Sequence, residues 1–198
     1  RFLDPDGSFP NHIPNPEDKK AMESITEAVK ETGADFGIIF DTDVDRAGCV
    51  DSTGKEINRN RLIALAAIIA TNGRKNATIV TDSVTSDGLR EFIEKDLSCK
   101  HYRYRRGYKN VIDKAVELCA QGIDCPLAIE TSGHAALKEN YFLDDGAYIV
   151  TKLLIELAKG KKEGYTLESL IASLEEPSES IEFRMNILLE DFKPYGQQ

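Results

Sequence analysis

The hexapeptide Asp41-Thr42-Asp43-Val44-Asp45-Arg46 sets three carboxylates at alternate positions and ends on a guanidinium. In an extended loop, residues two apart point the same way, so the three acids can converge. Carboxylates held that close repel one another unless a cation joins them. Hard oxygen ligands of this kind suit Mg²⁺ or Ca²⁺. Arg46 adds a forked cation of the sort that recognises phosphate in a bidentate manner. An EF-hand is a poor fit, because its sixth position calls for Gly and holds Arg46, and its twelfth calls for Glu and holds Ser52. A solvated acidic turn between two strands accounts for the same residues, so the pattern alone leaves both readings open.

Two further segments carry chemistry. Glu130-Thr131-Ser132-Gly133-His134 gathers a carboxylate, two hydroxyls and an imidazole within five residues, a set able to chelate sugar hydroxyls. It follows a short apolar run, and ligands of open α/β sheets bind at such strand ends. The Ser132–His134 pair also suggests a hydrolase, but G-x-S-x-G is absent. A capped polar turn is the simpler alternative. The segment from Arg103 to Asn110 places basic residues around Gly107 ahead of a helix, an arrangement suited to an anion, or to a solvated strand face. Asp144 and Asp145 most simply stabilise the start of the helix that follows them. His12 and His101 have no partner at ligand spacing and receive no role.

These loops need a frame. Apolar spacing predicts a helix over 16–32, entered through Asn15 and Pro16 and stopped by Gly33. Phe36–Phe40 reads as a buried strand running into the acidic loop, and Ala47–Val50 with the turn 51–54 as a short hairpin. Helices are expected over 59–71, 86–97, 110–120, 145–159 and 167–174. Strands are expected over 77–81, 101–104 and 127–129. Gly160-Lys-Lys-Glu-Gly164 is expected to break the pattern, and Ile181, Phe183, Met185 and Ile187 recur at period two. Alternating strands and helices with short loops predict α/β layers around a mixed sheet.

Composition narrows the classes. The 198 residues carry 34 acidic and 25 basic side chains, a net charge of -9, which argues against a duplex nucleic-acid binder. No apolar run approaches the ~20 residues of a bilayer-spanning helix, so no membrane partner is expected. The N-terminus lacks a charged-then-apolar leader. Four cysteines without a CxxC pair read as reduced thiols of a cytoplasmic protein.

In order along the chain, these residues resemble the α-D-phosphohexomutases, the phosphoglucomutase/phosphomannomutase family. The stretch 6–17 resembles that family's approach to its metal loop, and Asp41–Arg46 resembles its DGDxDR magnesium loop. Gly107-Tyr108-Lys109 is similar to its glycine-centred turn, Glu130–His134 to its sugar-reading ExSGH loop, and Asp145-Gly146 to the DG opening the next helix. Thr42, Val84 and Tyr108 depart from the family, where Gly, Lys and His are usual. The resemblance implies layered α/β/α domains, one truncated and one complete. The expected divisions are 1–58, a truncated domain 2 with the metal loop; 59–160, domain 3 with the sugar loop; and 161–198, a linker toward a missing domain 4.

It further implies an intramolecular phosphotransferase interconverting hexose 1-phosphate and hexose 6-phosphate, through a phosphoserine enzyme and a bisphosphate intermediate. Asp41, Asp43 and Asp45 would bind Mg²⁺, and Arg46 would act in catalysis. Gly107, Tyr108, Lys109, Glu130, Ser132 and His134 would meet the phosphorylated hexose. A sugar 1,6-bisphosphate would activate the full-length enzyme. Both ends look cut, domains 1 and 4 are expected to be missing, and the stretch alone is expected to be inactive. Two alternatives stay open: a haloacid-dehalogenase-type phosphatase using the Asp41-Thr42-Asp43 segment, and a non-catalytic sugar-binding module.

Overall fold

The computed structural model describes residues 1–179 and 181. The first helix, α1, spans Lys19–Thr32 and begins three residues later than apolar spacing predicts. The Asn15 side chain accepts the Glu17 N–H at 3.0 Å and so holds a turn. Asp18 is the cap, accepting the Ala21 N–H at 3.0 Å. At the other end Gly33 adopts φ +67°, and its N–H closes on the Val29 carbonyl.

Helix α1 covers a three-stranded antiparallel sheet of β1 (Phe36–Phe40), β2 (Ala47–Asp51) and β3 (Glu56–Ile57). Its register runs from Phe36 opposite Asp51 to Phe40 opposite Ala47, which makes the acidic segment 41–46 the β1–β2 connection. Met22 and Val29 of α1 pack on Val50 beneath them. The β2–β3 turn is held by the Asp51 carboxylate, which accepts the Thr53 and Lys55 N–H groups at 2.8 and 2.9 Å.

The second sheet contains β4 (Thr78–Asp82), β5 (Lys100–Tyr104), β6 (Leu127–Ile129) and β7 (Ala135–Leu137), in the order β5-β4-β6-β7. Strands β5 and β6 lie parallel to β4, and β7 runs antiparallel to β6, so the sheet is mixed as expected. Around it lie α2 (Arg59–Thr71), α3 (Asp87–Glu91), α4 (Tyr108–Ala120), α5 (Gly146–Glu163) and α6 (Leu167–Leu170). Alternation along β4 and β6 sorts the two faces. Ile79, Leu127 and Ile129 pack with Leu62, Leu65, Ile149 and Leu153, whereas Val80 and Ala128 pack with Val111, Ala115 and Leu118. Ala47, Cys49 and Ile57 belong to the first of these clusters, so both sheets share one core through α2 and α5.

Three further expected helices need correction, and one strand was not expected. Strand β7 has no periodicity over its three residues and escapes sequence reading. Helix α5 continues through Gly160 to Glu163 and stops at Gly164, φ +86°. Gly160 suits its place because an added Cβ would lie 2.5 Å from the Tyr165 carbonyl oxygen. The helix expected over 86–97 is α-helical only through Glu91 and becomes a π-helical turn over Phe92–Asp96. Helix α6 ends at Leu170, four residues early. Phe183, Met185 and Ile187 lie outside the described residues. Among those described, no helix is long and apolar enough to cross a membrane, and all four cysteines are free.

Candidate active site: a carboxylate loop seated on a polar loop

The β1–β2 connection folds back tightly, with the Asp41 N–H directed at the Arg46 carbonyl and Val44 at φ +65°. That region is costly for a β-branched residue, on the order of 1–3 kcal/mol, and persists only where surroundings over-determine it. Here they do. The Arg46 N–H and Nε donate to the two carboxylate oxygens of Asp41 at 3.2 and 2.7 Å. Its Nη1 reaches the Asn15 carboxamide oxygen at 3.3 Å. Arg46, expected to face phosphate, is thus also the clamp that shapes the loop. Asn15, expected to cap α1, belongs to this clamp.

One ligand oxygen each from Asp41, Asp43 and Asp45 lies within 4.8 Å of the others, close enough for a single ion. Burial disfavours the charge on Asp41, but the Arg46 hydrogen bonds outweigh it and hold that carboxyl below the usual range. Asp45 goes the other way. Burial, with Asp41 and Asp144 as like-charged neighbours, pushes it up to about 6 against the pull of His134. Crowded hard oxygens with an uncompensated charge are what a hard divalent cation relieves.

The carboxylate loop rests on the polar loop between β6 and β7. Arg46 and His134 form an isolated antiparallel bridge. Gly133, φ +102°, comes so near β2 that an added Cβ would stand 2.7 Å from the Ala47 carbonyl oxygen. Gly146 at the start of α5 donates its N–H to the Val44 carbonyl at 3.1 Å, and its Cβ would collide with the backbone of Arg46. Two glycines therefore let three backbone segments meet.

Around this seam the polar side chains are shared between elements. Glu130 is buried and its Oε1 accepts the Gly107 N–H at 2.6 Å, joining the sugar-like loop to the turn before α4. Burial raises the Glu130 carboxyl, with nearby Asp82 adding to the effect and Gly107 opposing it. Ser132 Oγ sits 3.5 Å from Glu130 Oε2. The His134 ring stacks on Tyr108 with centroids 4.9 Å apart, and its Nδ1 lies 2.7 Å from Asp144. Burial works against the charged ring, but Asp144, Asp45 and Glu130 outweigh it and raise His134 above its ordinary value.

Glu130, Ser132, His134, Gly107 and Tyr108 therefore come together beside the three aspartates. Lys109 does not join them; it extends along α4 to Asp113 at 3.0 Å. Of the two acids before α5, only Asp145 caps the helix, accepting the Tyr148 N–H. Asp144 turns to His134 and the Ala135 N–H instead, a correction to the helix-stabilising expectation. Asp82, the partner of Thr131, went unread. The fully buried Asp82, at the end of β4, accepts the Thr131 hydroxyl at 2.7 Å. An acid closing an apolar strand is the one signal that points to it. His101 is half-buried with its Nε2 2.7 Å from the Thr81 hydroxyl, and burial with neighbouring Arg103 lowers it to about 4.

Comparison with known proteins places this geometry. The family model for phosphoglucomutase/phosphomannomutase alpha/beta/alpha domain II matches residues 2–54, and that for domain III matches residues 58–177. A phosphomannomutase/phosphoglucomutase of Pseudomonas putida is 34% identical over 167 residues, covering 84% of this chain and 35% of the relative. A phosphoglucomutase of Neisseria meningitidis is 29% identical over 185 residues, 91% of this chain and 38% of the relative. The crystal structure of a phosphoglucomutase/phosphomannomutase family protein from Burkholderia thailandensis superposes with a TM-score of 0.75 at 30% identity, covering 89% of this chain and 36% of that one. The chain spans about a third of the length of the curated relatives it matches.

Proposed function

The chain belongs to the phosphoglucomutase/phosphomannomutase family, and on that premise we propose that it forms the metal-loop and sugar-loop portion of a phosphohexomutase. The reaction is the interconversion of hexose 1-phosphate and hexose 6-phosphate by way of a phosphoserine and a sugar 1,6-bisphosphate. The observation that carries this reading is the seam itself: the bridge between Arg46 and His134 sets three carboxylates beside a loop rich in groups that bind sugar hydroxyls.

In this reading Asp41, Asp43 and Asp45 hold Mg²⁺, which their oxygen donors fit. When bound, the ion neutralises charge on the transferring phosphoryl group, the main requirement of such chemistry. Arg46 keeps Asp41 ionised and aimed, and its remaining N–H groups orient phosphate oxygens. Glu130 is held by the Gly107 N–H, so its second oxygen and the Ser132 hydroxyl read ring hydroxyls. His134, fixed by Asp144 and Tyr108, stands between sugar and carboxylates. Gly107 and Tyr108 line the approach of the phosphorylated hexose, whereas Lys109 is turned away to Asp113. The phosphoserine and the distal phosphate clamp are contributed by parts of a longer protein. The phosphatase reading is set aside because both matched segments of the chain, residues 2–54 and 58–177, fit the phosphoglucomutase/phosphomannomutase family.

The test is a coupled mutase assay with glucose 1-phosphate or mannose 1-phosphate, Mg²⁺ and sugar bisphosphate. The longer protein should turn over and lose activity on Asp43→Ala, whereas these 198 residues alone should not turn over. Turnover by the 198-residue chain that disappears on Asp43→Ala would place the phosphate carrier inside it and overturn the assignment.

A further inference from the structure

Two holds on the sugar-reading loop act at its ends, Glu130 by the Gly107 N–H and His134 by Asp144. Another acts on its middle. Thr131 stands between Glu130 and Ser132, whose oxygens lie 3.5 Å apart, and directs its hydroxyl to Asp82 Oδ2 at 2.7 Å. Thr131 is itself buried, so water competes little for this bond.

Asp82 is the last residue of β4, the strand flanked by β5 and β6. It is fully buried, and its Oδ1 has no hydrogen-bond partner among the described residues. A buried carboxylate with one oxygen unmatched costs stability, which makes this residue a poor choice for packing alone. Its backbone is nonetheless fixed. The Thr85 hydroxyl donates to the Asp82 carbonyl at 3.2 Å, the Thr81 hydroxyl lies at 3.2 Å from the same oxygen, and His101 Nε2 holds Thr81 at 2.7 Å. The anchor is therefore rigid, and rigid supporting residues are what hold reading groups to within a fraction of an ångström.

We propose that Asp82 is a positioning residue for the sugar-reading loop: through Thr131 it fixes where the Glu130 carboxylate and the Ser132 hydroxyl meet the ring, and so sets which ring hydroxyls the site demands. Asp82 itself touches no substrate. Selection among hexoses rests on the mutase reading; the hold on the loop does not. A plain tie between β4 and the β6–β7 loop would stabilise the fold and leave selection unchanged.

The decisive measurement is therefore selection, because a ratio of two substrates on one preparation does not depend on how much of it is folded. In the longer protein, kcat/KM is measured for glucose 1-phosphate or mannose 1-phosphate, whichever turns over faster, and for its monodeoxy analogues. The analogue most disfavoured by the unchanged protein gives the ratio, since a site built around a hydroxyl strongly rejects a substrate lacking it. Thr131→Val and Asp82→Ala should each shrink that ratio about tenfold, and the double variant should shrink it no further. Thr131→Ser and Asp82→Asn keep the donor and the acceptor and should restore most of it. A ratio unchanged in Thr131→Val, or reduced as much in Thr131→Ser, would overturn the proposal, and neither outcome depends on Asp82→Ala folding. In the 198-residue chain, Thr131→Val should also speed hydrogen exchange about tenfold at the Glu130 and Gly133 N–H groups, which close the loop on the His134 and Glu130 carbonyls, and leave the β1 amides unchanged. No change there, or an equal rise in β1, would overturn the hold on the loop. A longer protein without mutase activity would sink the mutase reading, and the exchange result would still decide the role of Asp82 in the loop.

Discussion

The carboxylate loop and the polar loop that supports it solve the same problem, a concentration of charge, by opposite means. In Asp41–Arg46 the pair that shapes the loop is local, Arg46 binding Asp41 five residues away, while Asn15, His134 and Gly146 reach it from other elements. In Glu130–His134 almost every polar group finds its partner on another element. Glu130 uses Gly107, Thr131 uses Asp82, and His134 uses Asp144 and Tyr108. The first loop is therefore shaped locally and tunable by a bound cation. The second is a junction that fails when any neighbour moves.

The seam between them is the place to break this contrast hardest. Gly133→Ala forces a Cβ toward the Ala47 carbonyl at a φ that L residues rarely adopt, and should destabilise the chain by about 2–4 kcal/mol. Denaturant melts should show it, and a loss below ~0.5 kcal/mol would mean the two loops part readily. Asp144→Ala comes next. It strands the His134 ring and the Ala135 N–H, and should cost about 1–3 kcal/mol. Asp43→Ala, in the local loop, should cost little stability and yet remove any rise in melting temperature produced by Mg²⁺. That rise should itself be small, because three protein carboxylates leave the remaining octahedral positions to water.

Acidity sharpens the comparison further. The Asp45 carboxyl keeps its proton to about pH 6 in the folded chain but only to the ordinary carboxylate range when unfolded. Folding is therefore favoured by this group in acid, and the advantage fades as pH rises through about 6. His134, raised in the folded chain, acts in the same direction, contributing most below its ordinary value and losing that contribution above its raised one. In chelator, stability should fall between pH 5 and pH 8, and Asp45→Asn should flatten the lower part of that fall. The smallest effect is expected at Lys109: Lys109→Ala should leave the melt unchanged, since its partner Asp113 is also on the α4 surface.

The contrast also explains which parts of the site could be read from residue order. Asp41, Asp43 and Asp45 announce themselves because convergence of alternate residues is a short-range property. Glu130 and His134 were visible as types, but not as the ties they are, since Gly107 lies 23 residues away and Asp144 ten. Asp82 was missed, and Asn15 was read as a helix cap, for the same reason: each is one polar residue whose meaning is its distant partner.

At the level of elements, apolar runs placed α2, β1 and β6 at their true limits; in α2 and β6 consecutive residues are buried, so a continuous apolar stretch marks them instead of a one-faced stripe. Termini governed by competing caps, such as Asn15 against Asp18, depend on which side chain is already committed elsewhere. Strand β7 exists because β6 offers it an edge, and α5 passes Gly160 because Tyr165 folds back onto it. Residue order thus determined the helices, most of the strands and the carboxylate loop, all of which rest on contacts within one turn or one pleat. Closure of the two loops into one site was decided in three dimensions, where Gly133 and Gly146 allow backbone segments distant in sequence to touch.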